Sequence, residues 1–257
     1  MTPRRTAFDP QGQGFAFANT WHLDEAERQY LGQDFTRYFL QRGTLGPLGP
    51  LVVPRVVRLV RGIVERHLGS TYGLCGGMVF AALDFHHAGL PLPRGQHAYD
   101  QPAPGTPLRR FIWRRQMDTL LQDALRFIAW TALLTRVPQR RPFDSGPSRL
   151  LARSRPQWRK LIAALDAGQP VPLGLVRDAR NVFENHQVLA VGYEQLHERH
   201  ATLFLYDPNC PDRESTIALE FGEQQLDGRE SCPAQAPPLR GFFCEAYTPA
   251  DPREATQ

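Results

Sequence analysis

The segment Tyr72-Gly73-Leu74-Cys75-Gly76-Gly77-Met78 places a cysteine where a glycine-flanked loop runs into the apolar stretch Met78-Val79-Phe80-Ala81-Ala82-Leu83. A thiol at the start of a helix faces unpaired N–H groups and the positive end of the helix dipole. Both favour the thiolate, which is the nucleophilic form. Gly73, Gly76 and Gly77 remove side-chain bulk, so another molecule's backbone could approach the sulfur, and all three are candidate groove residues. Downstream, Asn185-His186-Gln187-Val188 offers a base, and Tyr206-Asp207-Pro208-Asn209 offers a carboxylate to orient it. Cys, His and Asp in that order outline thiol-dependent acyl transfer. Cys75 attacks a carbonyl, His186 takes the thiol proton and later returns it, and Asp207 holds the imidazole in the productive tautomer. Asn181, Glu184 and Asn185 precede His186 on what reads as a cleft loop, which makes them candidate substrate contacts. Each residue alone has a plainer reading: a packed thiol, a core or surface histidine, a turn-forming aspartate.

The elements around these residues must bring them together. Phe15 to Trp21 alternates large and small residues and reads as a short extended segment. Helices are expected over Asp24 to about Arg42, Val56 to His67, Cys75 to Ala88, Leu108 to Leu134 and Arg155 to Ala167. Gly43, Gly69, Gly89 and Gly168 stand at their stops. Pro- and Gly-rich loops are expected at 43–54, 91–107 and 137–147, as specificity elements. The texture then changes to short β-rich runs at Val171–Val176, Gln187–Tyr193, Thr202–Tyr206, Thr216–Phe221 and Gly241–Tyr247. Short connections between several of them predict an antiparallel sheet. Helices first and strands second describe an α+β protein of two lobes. One domain is expected over 1–257, with a helical lobe at 15–168 carrying Cys75 and an antiparallel β lobe at 169–248 carrying His186 and Asp207. Residues 1–14 are expected to be loose, and a tail at 249–257 disordered.

Composition narrows the classes. The chain has 257 residues, 42% of them hydrophobic, which suits a globular protein. No charge-free apolar run is long enough to cross a bilayer, and no apolar core follows the basic N-terminus, so a cytoplasmic location without a signal peptide is expected. Four cysteines without a C-x-x-C pair argue against a disulfide scaffold or a structural zinc site. Cys244 reads as a buried small hydrophobe, and a Cys210–Cys232 bridge stays open. The basic set is 29 Arg and the single Lys160, with a net charge of only +4. Arginine suits phosphate, so Arg109-Arg110 and Arg114-Arg115 keep a nucleic-acid reading open, against a solvated helix face. Asp84, His86 and His87 read as a helix end rather than a metal site. No metal and no cofactor are expected.

Gly73-Leu74-Cys75-Gly76-Gly77-Met78 and Asn185-His186-Gln187-Val188-Leu189-Ala190-Val191-Gly192-Tyr193 resemble the papain-like cysteine peptidases. Leu205-Tyr206-Asp207-Pro208 is similar to the Asp-Pro step of the double-glycine, bacteriocin-processing branch. From Phe15 to Tyr247 the chain resembles an uncharacterised bacterial branch of that superfamily. The resemblance implies a two-lobed papain-like fold, a cleft between the lobes, a peptide or acyl-group substrate, and a thioester intermediate without metal or cofactor. Two family features are absent: Gly76 replaces the aromatic after the cysteine, and Gly69 occupies the place of the oxyanion glutamine. Cys75 N–H can supply one oxyanion donor. Asn19, polar within an aromatic segment, is the candidate for the other, with Ser70 and Thr71 as further options. A catalytically silent module that binds a peptide or acyl chain is the alternative function.

Overall fold

The computed structural model describes residues 2–22, 25, 27–29, 38, 71–93, 100–136, 145–178, 182–233 and 235–256. The helices expected over 24–42 and 56–67 and the loop at 43–54 fall largely or wholly outside the described residues. So do residues 94–99 and 137–144 of the other two loops, together with Ser70 and Asn181.

The chain starts with strand β1 (Arg4–Arg5) and a single helical turn, α1 (Pro10–Gln13), capped by the Asp9 carboxylate. Residues 1–14 read as loose in the sequence, yet β1 pairs with a strand some 190 residues away and Phe8 is buried. The short strands β2 (Trp21–His22) and β3 (Thr71–Tyr72) pair in antiparallel register, Trp21 opposite Tyr72. They anchor the loop that leads into α2 (Cys75–His87), which ends before Gly89 at φ +63°. Helix α3 (Pro107–Arg136) follows, then α4 (Gly146–Asp166). The sequence suggests a loop up to Pro147 and a start for α4 near Arg155. Pro147 instead lies in the first turn, where its missing N–H costs nothing, behind the Ser145 cap.

Six strands complete the chain: β4 (Val171–Arg177), β5 (His186–His197), β6 (His200–Tyr206), β7 (Ser215–Phe221), β8 (Leu226–Glu230) and β9 (Leu239–Cys244). All pairings are antiparallel, in the order β5-β4-β9-β8-β7-β6, and β6 pairs back onto β5. The six-stranded sheet is therefore a closed barrel. This corrects the expected papain-like two-lobed architecture of an N-terminal helical lobe and a C-terminal antiparallel β lobe, because the β strands close into a barrel. Two features produce the closure. Strand β8 was not legible, since Asp227-Gly228 reads as a turn; yet Gly228 is what lets β8 approach Leu239 of β9 closely, as a Cβ there would stand 2.8 Å from the leucine side chain. Strand β5 is long and breaks register between Ala190 and Gly192, and such irregularities bend a strand. Its first half pairs with β4, its second half with β1, and its opposite edge with β6.

The helices are not a separate lobe either. One core joins α2 and the start of α3 to Leu189 and Val191 of β5. A second joins Leu151, Leu161 and Leu165 of α4 to the barrel strands. A third joins Phe127 and Trp130 of α3 to Phe243 of β9. The tail, expected to be disordered, forms a short turn (Pro252–Ala255) whose Ala255 is buried in the first of these cores. Among the described residues no helix is long and apolar enough to cross a membrane.

The far end of α2 is fixed by a buried ion pair. Asp84 receives Arg115 Nε at 2.7 Å, the Tyr247 hydroxyl at 2.6 Å and the Ala250 N–H at 3.0 Å. Removing one partner of such a pair strands the other charge in the interior. Asp84→Ala should therefore lower stability by about 3–5 kcal/mol. Urea unfolding checks this: the midpoint should fall with little change in slope.

Candidate active site

Cys75 is the first residue of α2. The Leu74 backbone N–H just before it donates to Asn19 Oδ1 at 2.5 Å, and no side chain caps the helix at Leu74. Gly73 is exposed beside the cysteine, and a Cβ there would stand 2.9 Å from Asn19 Nδ2. Gly76 and Gly77 are packing requirements rather than open groove. A Cβ on Gly76 would overlap the Gln187 carboxamide, and one on Gly77 would overlap the Ile112 carbonyl.

His186 opens β5 and Asp207 follows the end of β6. The β5–β6 ladder pairs Leu189 with Tyr206, so the turn Asp207–Asn209 falls beside the start of β5. His186 Nε2 and Asp207 Oδ1 are 2.7 Å apart, and both residues are buried. Nε2 is thus committed to the carboxylate, and the imidazole and the Cys75 thiol each favour the charged form of the other. Asp207 Oδ1 in addition accepts the Asn209 N–H at 2.8 Å. Burial disfavours charge on the imidazole, but the Asp207 carboxylate and the thiol outweigh it and raise His186 to about 10. Burial likewise pushes the Cys75 thiol up, yet its hydrogen bond and charge interaction with His186 carry it below the ordinary thiol value. The N–H groups of Gln187 and Gly76 act in the same direction. The two shifts have opposite senses, as a thiolate–imidazolium pair requires.

The other candidate residues take up definite positions. Asn19 is buried at the centre of a small joint. Its Oδ1 accepts the Leu74 N–H and the Trp21 indole N–H, and its Nδ2 donates to Asn209 Oδ1 at 3.2 Å. It thereby ties the cysteine loop to the turn that carries Asp207. Asn185 faces structure: its Oδ1 accepts the Arg177 N–H at 3.1 Å and its Nδ2 donates to Thr131 Oγ1 at 2.8 Å. Glu184 has an exposed side chain at the rim. Cys210 is joined to Cys232, with Cα atoms 6.3 Å apart, next to the Asp207 turn.

The arginines offered for phosphate are largely spent. Arg109 is buried, paired with Glu27 and Tyr72, and lies 3.7 Å over the Trp21 ring. Arg115 holds Asp84 and Asp118, and Arg114 reaches Glu254. Asp84 is engaged by Arg115, Tyr247 and Ala250, and His86 Nδ1 lies 3.1 Å from Gln13 Oε1. No cluster of three or more potential metal ligands occurs among the described residues.

Sequence reasoning missed Asn209, Gln187, Gln116 and Glu245. Asn209 had a signal in the Asp-Pro-Asn turn. The other three lie on β5, α3 and the segment after β9, and only folding makes them neighbours. Comparison with protein-family models, curated proteins and solved structures returned no match to this chain.

Proposed function

We propose that this protein is a thiol hydrolase or acyltransferase acting on an amide, peptide or thioester carbonyl through a Cys75 acyl-enzyme. The observation that supports this most directly is the single imidazole bridging a buried carboxylate and a thiol at a helix N-terminus. His186 removes the thiol proton as the sulfur attacks. The resulting imidazolium protonates the leaving group, and the neutral ring then activates water or an amine to resolve the thioester. Asp207 fixes the tautomer and stabilises the imidazolium. The Cys75 N–H, at the start of α2, supplies one oxyanion donor. The shared chemistry of the first half-reaction carries both hydrolysis and transfer, and the resolving nucleophile divides them.

One observation favours a silent binding module instead. The Asn19 carboxamide, the candidate for the second oxyanion donor, is engaged at both of its ends. A module of that kind would hold a peptide or acyl chain at Gly73 without cleaving it.

Alkylation of Cys75 by iodoacetamide across pH separates the two readings. A thiol lowered in the fold is ionised above its own lowered pKa and loses reactivity only as pH falls through it. Labelling of wild type should therefore persist well below the ordinary thiol value of about 8.5, and His186→Ala should move it back toward that value. On the alkaline side, turnover should decline as pH rises through about 10, where His186 gives up the proton needed by the leaving group. A wild-type labelling midpoint near about 8.5 that ignores His186→Ala would favour the silent module.

A further inference from the structure

A chain of four hydrogen-bonding groups runs behind the sulfur, and its polarity is fixed from one end. A backbone N–H can only donate. The Gly77 N–H donates to Gln116 Oε1 at 2.9 Å, so the nitrogen of the Gln116 carboxamide must face the other way. Thr119 agrees: its hydroxyl proton is used on the Gln116 backbone carbonyl at 2.9 Å, leaving Oγ1 to accept Gln116 Nε2 at 3.3 Å. Gln116 Nε2 also donates to Gln187 Oε1 at 3.4 Å, which turns the oxygen of that second carboxamide inward. Gln187 Nε2 then donates to Glu245 Oε1 at 2.6 Å. The same Gln187 Oε1 stands 3.7 Å from Cys75 Sγ, in position to accept an S–H bond. The orientation of Gln187 is thus dictated by its neighbours, and it presents an acceptor to the nucleophile.

An acceptor facing a thiol favours S–H and repels S⁻. His186 does the opposite from its own side of the sulfur. We propose that Gln187 is a positioning residue whose side-chain carbonyl holds the proton on Cys75 in competition with His186, and so sets the pH at which the nucleophile forms. This rests on Cys75 being the nucleophile of the reaction above. The charged and titratable groups acting on the sulfur are His186, Asp207 behind it, Arg177 with its partner Glu230, and Glu245. Asp123 and Arg126 act on Glu245 in turn, and burial keeps the Glu245 carboxyl well above its usual range. A neutral carboxyl still accepts from Gln187 Nε2, so the chain does not need a buried negative charge beside the thiol. The arrangement tempers the nucleophile: with part of the population held as S–H, the resting thiol is less open to oxidation than a full thiolate.

The test is the pH profile of iodoacetamide labelling of the full chain, with folding followed by circular dichroism. Gln187→Met keeps the length of the side chain and removes the acceptor. Its labelling midpoint should fall by about one pH unit relative to wild type. Gln116→Met removes the contact that aims Gln187 Oε1, leaves Gln187 itself in place, and should shift the midpoint in the same direction by less. A purely structural role predicts lost stability without a fall in the midpoint. An unchanged or raised midpoint in either folded variant overturns the proposal, and if Gln187→Met does not fold, Gln116→Met decides alone. Repeating the comparison in His186→Ala separates this inference from the acyl-transfer reading. The carbonyl acts on the thiol without the imidazole, so the downward shift should persist there even if labelling shows no His186-dependent ion pair.

Discussion

Cys75→Ala should reduce turnover of an activated acyl ester to the uncatalysed background, a loss of about 10⁴-fold or more. Losing the nucleophile of a catalytic set removes the covalent route altogether and leaves only what binding and oxyanion contacts supply. The substitution isolates chemistry from folding. Cys75 occupies the first helical position, alanine is a good helix former, and the sulfur's own contacts are to His186 and Gln187 rather than to the hydrophobic core. Thermal unfolding should therefore change little. Two readouts belong together: the steady-state rate, and a covalent adduct of acyl mass on the wild-type chain that is absent from the variant. Turnover equal to wild type in Cys75→Ala would sink the acyl-enzyme mechanism outright.

Asp207→Asn should cost about 10²–10⁴-fold in kcat/KM, and it separates charge from geometry. The side chain keeps its shape, and its oxygen can still accept the Asn209 N–H, so the turn after β6 has reason to persist. The negative charge is lost, however, and that charge is the largest of the influences raising His186. The imidazole should then titrate well below about 10, and the thiol should rise in step, because each had been stabilising the charged form of the other. Labelling of Cys75 near neutral pH should slow while binding of an unreactive substrate analogue is retained. Proton NMR titration of His186 reads the first change and the alkylation profile reads the second. An imidazole pKa that stays near its wild-type value would mean that Asp207 does not carry the charge role assigned to it.

The bridge between Cys210 and Cys232 and the Asn19 joint bear on both experiments. They fasten the Asp207 turn at two further points, one covalent and one through Asn209. The turn is therefore held independently of its contact with His186. A loss of activity in Asp207→Asn is for that reason readable as lost charge rather than as a collapsed loop.

What the chain alone determined is what depends on nearby residues. Helix α2 was legible because glycines precede it, an apolar run fills it and Gly89 stops it, all within one short stretch. The start of β5 at His186 and the end of β6 before Asp207 were legible because β-branched and aromatic runs break off at those points. The types of residue able to do acyl chemistry were equally visible, since a cysteine at a helix start and a histidine at a strand start announce themselves locally. Tertiary structure decided everything that rests on pairing between distant segments. Barrel closure needed β8, whose Asp-Gly pair looks like a turn until Leu239 packs against it. It also needed β5 to change register so that one strand could serve both β4 and β6. The order near the N-terminus came from β1 completing an edge of that same strand, which no local pattern could specify. At the site, Asn19 reads in the sequence as an oxyanion candidate, and only the fold shows that it also ties the cysteine loop to the Asp207 turn. Gln116 and Gln187 carried no signal at all, because a glutamine acquires a role only from the groups that fix which end of its amide points where, and Glu245 becomes their partner only when the segment after β9 packs beside β5.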